Sequence, residues 1–410
     1  MKFLRCTFIV LSLLGLSACN QPDQTTVDVQ IDQRPSNIQN NGIDASAFSS
    51  YLELKVYSDV SLASHKAQEL DQKISAFLYT TDKETLEDAQ HAWRSAYDAY
   101  LKSLIYSRLP INDPPEWVKN GDSYQQTLLL IDSWPIEGGY IDYVDGYPFS
   151  GIVNDLALPL TTDNLLSQHG FADPSYVSLG FHALEFMLWG EQGLRTPKDF
   201  LAQDNTALAV INDDMGEARF DDSSVKQSAD QPAVQNHLRR RLYLQLVSDQ
   251  LQKHLLRLQS RWEPSNGYYA SVLRRSEPEQ VLRASFIATQ ELISDELLNK
   301  RLSANSSQFS NTNWADIAAI IASIRLLYLP ESGSEYGAGG LPSLLPENKQ
   351  AIIEEWQLLF QAIDVSIAQW QQADTKDTDS RQQCRQHLIE LLSLLKQTAK
   401  LLNIQLTEID

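Results

Sequence analysis

The run Ser178-Leu-Gly-Phe-His-Ala-Leu-Glu-Phe-Met-Leu-Trp-Gly190 sets one imidazole, His182, and one carboxylate, Glu185, in an otherwise apolar, helix-forming stretch. Residues three apart share a helix face. There the two side chains can hold one metal ion together, or the carboxylate can orient the imidazole. Gly180 leaves room for backbone or ligand to come close. Neither polar group can stand alone in such a run, because an unpaired buried polar group is costly. Partners must come from other elements.

Two distant segments offer them. Asp132 and Glu137 flank Trp134-Pro135, whose rigid turn would hold two carboxylates near an indole, and Asp142 follows in the same segment. Arg301, Ser310 and Asn311 can complete a polar pocket against His182 and Glu185 if the two halves of the chain face each other. The alternative is structural: Asp132 and Ser310 cap helices, and Arg301 pairs with a carboxylate to fix the contact between halves. The remaining histidines have no His or Glu at convincing ligand spacing and read as surface or satisfied helix residues.

Two function classes follow. One is a binding protein, in which His182 and Glu185, with carboxylates such as Asp132, Glu137 or Asp142, hold a metal ion or small ligand. The other is a metallopeptidase with Glu185 as ligand or base. Catalytic zinc usually takes three protein ligands plus water. Phe186 stands where an inverted zinc-protease motif has its second histidine, and neither His-Glu-x-x-His nor Gly-x-Ser-x-Gly occurs. The ligand count favours binding. Oxygen-rich ligation with one imidazole suits iron or another hard divalent cation.

The elements that must position these groups read as helices. Phe48, Tyr51, Leu52, Val56 and Val60 form one apolar stripe, continued by Ile74, Phe77 and Leu78. Thr81-Asp-Lys-Glu84 has the form of a capping box, and Trp93, Tyr97, Tyr100 and Leu104 recur behind it as a core stripe. Between Leu109 and Pro174 repeated prolines predict short helices and loops. Beyond Pro232 a long helix carries Val234, Leu238, Leu242, Leu251, Leu255, Leu258 and Trp262, followed by helical runs near 278–302, 314–329, 347–372 and 381–402. The expected fold is all-α: two packed helical, four-helix-bundle-like domains at 45–225 and 226–410, divided in the polar stretch 204–231.

The chain begins with a basic pair, Lys2 and Arg5, then a short apolar core, then Leu16-Ser-Ala-Cys19. This resembles a bacterial lipoprotein leader at 1–18, which implies lipidation of Cys19 and a tether over 19–44. Asn20 favours the periplasmic side of the outer membrane. With Cys6 in the leader and Cys19 lipidated, Cys384 alone remains, so no disulfide framework or cysteine zinc site forms in the mature chain. The formal charge of −20, two units more negative without Lys2 and Arg5, argues against nucleic acid as a partner.

The segment Gly180-Phe-His-Ala-Leu-Glu185 resembles the Gly-x-His-x-x-Glu signature of the imelysin family. Asp132-Ser-Trp-Pro135 is similar to the family's Asp-x-Trp-Pro segment, and Lys300-Arg301 with Phe309-Ser-Asn-Thr-Asn-Trp-Ala-Asp316 is similar to its Glu-Arg and Phe-Ser-x-Asn-Thr-His-x-Asp segments. The resemblance implies two bundle-like halves with the signature near their interface. It also implies a place in envelope metal or iron physiology, with iron-transport or other envelope proteins as partners. The chain departs from the pattern at Lys300 and at Asn313-Trp314, so a second imidazole is missing there.

Overall fold

The computed structural model describes residues 43–114, 123–202, 232–331, 339–372 and 379–406, with the side chains of 232–235 excepted. The leader, Cys19, nearly all of the expected tether and the expected domain boundary lie outside the described residues. Those described are all-α, with no strand among them.

Helix α1, Ser46–Tyr79, is the longest of the described elements, and every member of its apolar stripe is buried except Leu78, which is half-buried. It packs against α2, Lys83–Ser103, and against α7, Pro232–Arg261. The cap between α1 and α2 sits one residue later than the sequence suggests. Asp82 accepts from the Thr85 amide at 2.9 Å, while the Thr81 hydroxyl turns back to the Phe77 carbonyl at 3.1 Å. A carboxylate is the better partner for the positive end of a helix.

The proline-rich middle yields a 3₁₀ turn, Leu104–Arg108, and three short helices: α3, Tyr124–Ile131; α4, Gly138–Ile141; and α5, Thr162–Gln168. Then comes α6, Phe181–Trp189, with every residue buried. This burial explains its apolar composition, since each large side chain withdrawn from water contributes roughly 1.5–3 kcal/mol. The later chain supplies α8, Tyr268–Arg275, α9, Pro278–Glu291, a π-helix, Leu292–Arg301, and α10, Asn313–Tyr328. After the short α11, Leu341–Leu344, helices α12, Ala351–Gln372, and α13, Asp379–Leu401, pair with each other.

Leu238 and Leu242, expected inside, are exposed, and Tyr243, Leu244 and Val247 are buried instead. The reason is electrostatic. Arg239 donates to the carbonyls of Ile152, Val153, Asp155 and Leu158, and Arg240 to the Asp142 carboxylate, so guanidinium groups take the inward positions. The buried apolar side chains form one continuous cluster from Ala45 to Ile404, shared by elements on both sides of residue 225.

Candidate functional site

The signature helix is fixed from several sides. The Trp93 indole donates to the Phe181 carbonyl at 2.8 Å, the Gln90 amide to the Leu188 carbonyl at 2.9 Å, and the Tyr243 hydroxyl to the Ser178 carbonyl at 2.7 Å. Gly180 has φ +91°, and a Cβ there would lie 2.5 Å from the Ile131 carbonyl oxygen. The glycine therefore admits the end of α3, and with it Asp132, to the start of α6. Gly180→Ala is expected to lower stability by about 2 kcal/mol through backbone strain and this clash. Denaturant unfolding measures it, and a variant as stable as wild type would refute the close-approach argument.

His182 is buried between two carboxylates. Its Nδ1 is 2.8 Å from Glu185 Oε2, and its Nε2 is 3.0 Å from Asp132 Oδ1, with the Tyr97 hydroxyl 3.1 Å from the same nitrogen. Ionised carboxylates only accept, so both ring nitrogens must donate and the ring is an imidazolium. Burial pushes its pKa down, but the hydrogen bonds and charges of Asp132 and Glu185 outweigh this and hold it up at about 9.

Glu185 accepts four hydrogen bonds. Besides His182 it accepts, on Oε1, the amides of Phe309 and Ser310 at 3.1 and 2.8 Å and the Ser310 hydroxyl at 2.7 Å. Asp132 takes His182 and the Tyr97 hydroxyl on Oδ1 and Arg301 Nη2 on Oδ2 at 3.2 Å. Burial would raise its carboxyl, yet His182 and Arg301 keep it below the ordinary range.

Arg301 is fully buried at the centre of the next link. Its Nε donates to Glu296 at 2.8 Å and its Nη1 to Ser306 at 3.0 Å and to Tyr97 at 3.1 Å, with Asp316 3.6 Å away. The Trp134 ring lies 5.4 Å from the guanidinium, within cation–π range. Glu296 in turn meets Arg108 at 2.9 Å. Charges thus alternate from Glu185 through His182, Asp132, Arg301 and Glu296 to Arg108. Burial of Asp316, only partly offset by Arg301 and the hydroxyls of Ser307 and Ser306, lifts its carboxyl to about 6.

Of the residues singled out from sequence, Gly180, Asp132, Trp134, Arg301 and Ser310 meet at His182 and Glu185 or one contact away. Asn311 is an exposed turn residue at φ +55°. Glu137 is exposed at the start of α4, tied by its backbone to Ser175. Asp142 belongs to a separate buried cluster with Arg240, at 2.5 and 2.9 Å, and Arg195, at 3.0 Å. Asn313 pins the Arg301 carbonyl at 3.0 Å and receives the Ser306 hydroxyl at 2.8 Å. Tyr97, Glu296, Ser306 and Asp316 were missed. Their signal is weak, for a tyrosine in an aromatic stripe looks like core, and Glu296 stands five residues before Arg301, a spacing that only the π-helix turns into a contact.

The family model for imelysin matches residues 54–401. The chain belongs to the imelysin family. Among solved structures, an imelysin-like protein from Psychrobacter arcticum 273-4 is similar with a TM-score of 0.58 and 16% identity over 89% of this chain and 98% of that one. A protein provisionally described as an iron-regulated protein A precursor from Parabacteroides distasonis ATCC 8503 follows, with a TM-score of 0.54 and 14% identity over 88% and 96%. No curated protein matches.

A metal ion at the imelysin signature needs a neutral imidazole with a free nitrogen and carboxylate oxygens with free lone pairs. As arranged, His182 offers neither nitrogen, Glu185 already holds four donors, three on Oε1 and His182 on Oε2, and the Asp132 carboxylate faces two cations. The donor set does not fit a metal ion in this arrangement. Among the described residues no group of three or more His, Cys, Asp and Glu side chains is placed to hold one.

Proposed function

We propose that this imelysin-family chain is a lipid-anchored envelope protein that serves iron or metal physiology by binding a metal ion or small ligand, and that it does not hydrolyse peptides. The observation that carries the case against hydrolysis is the engagement of both His182 nitrogens by carboxylates and of Glu185 by four donors. A peptidase needs an open position for water and a carboxylate free to take its proton. Here both groups instead tie α6 to the end of α3 and to the loop before α10. The iron side of the reading is supported by the description of the Parabacteroides relative as iron-regulated. The anchor is Cys19 and the location the periplasmic side of the outer membrane, with iron-transport or other envelope proteins as partners. No described helix is long and apolar enough to cross a membrane.

The test combines the cell and the purified protein. Iron-limited cells lacking the chain should hold less iron, wild type should restore it, and Cys19→Ser should move the protein to the soluble fraction. Purified full-length protein should show only background peptide turnover, with or without added zinc, and Glu185→Gln should not change it. Chelator-sensitive hydrolysis lost in Glu185→Gln would overturn the reading in favour of a metallopeptidase.

A further inference from the structure

Away from the signature, a cleft of about 220 Å³ opens between the 3₁₀ turn at Leu104–Arg108, the helices α3 and α8, and Trp262 just past the end of α7. Its wall is aromatic: Tyr124, Trp262 and Tyr269 pack edge-on or tilted with centroids 4.9–6.5 Å apart, and Tyr106 adds a fourth ring. Its charged lining group is Asp113, held by the Tyr124 amide at 2.8 Å and the Tyr269 hydroxyl at 2.9 Å, both on Oδ1. Tyr269 and Tyr106 spend their protons on Asp113 and Asp59, so their oxygens can only accept from a guest. The wall already takes one cation, the Arg261 guanidinium, 5.7 Å from the Tyr124 ring.

We propose that this cleft binds a small organic ammonium ion, with the charge against Asp113 and the alkyl groups against the rings of Trp262 and Tyr269. Electron-rich ring faces, with two phenol oxygens that can only accept beside a carboxylate, favour a cation over a neutral guest. The volume is that of about seven waters, which fits a molecule of roughly seven non-hydrogen atoms. Although partial burial opposes it, the hydrogen bonds from Tyr124, Ser123 and Tyr269 keep Asp113 ionised. Two elements join the cleft to the signature. The turn that carries Tyr106 ends at Arg108, the partner of Glu296, and α3 runs from Tyr124 to Ile131, the residue before Asp132.

The inference rests on the binding reading above, and supplies a ligand class for it. Choline chloride and its neutral carbon isostere, 3,3-dimethyl-1-butanol, are titrated calorimetrically into full-length protein in non-ionic detergent. Choline should bind saturably and at least 10-fold more tightly than the isostere. Asp113→Asn, which keeps an acceptor for Tyr124 and Tyr269, should erase most of that preference, and Glu355→Gln on α12 should not. Equal affinity for the two probes, or no saturable choline binding by wild type, overturns the proposal whether or not the variant folds. Glu185-dependent peptide hydrolysis would defeat the function proposed above and leave the choline result standing.

Discussion

Arg301→Leu should lower the unfolding free energy by about 3–5 kcal/mol, because it leaves Asp132, Glu296 and Asp316 facing a buried space with no cation between them. The guanidinium is fully buried, so solvent does not screen the loss. Burial works against its charge, but Tyr97, Glu296, Asp132 and Asp316 together raise its pKa, and it stays charged throughout the usual range. Arg301→Lys keeps the charge but cannot reach Glu296, Ser306, Tyr97 and Asp132 at once. It should fall between the two. Adding Asp316→Asn to Arg301→Leu should return part of the loss, since it removes one of the stranded carboxylates. Denaturant midpoints of the four proteins decide it. An Arg301→Leu variant within 1 kcal/mol of wild type would mean that water or a rearranged loop solvates the cluster, and the alternating chain of charges would lose its centre.

The place of this network in the sequence was readable in proportion to how local its chemistry is. His182 and Glu185 stand out because two polar groups in a nine-residue buried helix must be paired, and side-chain chemistry limits the choice of partner to carboxylates, amides and hydroxyls. Asp132, Arg301 and Ser310 could be named because they lie in segments that resemble those of the imelysin family. Tyr97 could not, for its hydroxyl is what matters and the sequence shows only another aromatic at helical spacing. Glu296 was hidden by geometry. In an α-helix five residues separate side chains by well over one turn, whereas the wider π-turn brings Glu296 Oε1 within 2.8 Å of Arg301 Nε.

The same distinction explains the misplaced residues. Asp142 was grouped with Asp132 because the two are near in sequence, but it is drawn to Arg195 and Arg240, the second of which comes from α7, 98 residues later. Apolar periodicity alone would bury Leu238 and Leu242. It carries no information about the carbonyls and carboxylate that pull Arg239 and Arg240 inward. The helical class was legible because periodicity extends over whole elements, while long-range ion pairs depend on single atoms at distances the sequence does not encode.

Stability should fall as pH rises from about 6.5 to about 9, by an amount on the order of 3 kcal/mol for His182 alone. The sign follows from the raised pKa of the folded imidazole. The native chain holds a proton that the unfolded chain has already released above pH 6.5, so the contribution is complete below that value and is lost as pH passes 9. Asp316 adds loss in the same direction at lower pH, between its ordinary value of 3.8 and about 6, while the lowered Asp132 has the opposite sign and fails as pH falls below 3.8. The window above 6.5 therefore excludes both carboxylates, and comparison with the variant subtracts the smaller contributions of His169, His254 and Cys384 that fall inside it. Unfolding titrations of wild type and His182→Gln at pH 6.5 and 9 provide the measurement, and the variant should lose most of the difference between them. A metal-ligating imidazole would behave in the reverse way, because metal competes with the proton and stabilises more as pH rises. Wild type that is equally stable at both values would show that His182 is not held as an imidazolium, and growing stability with added metal at pH 9 would return it to the role of ligand.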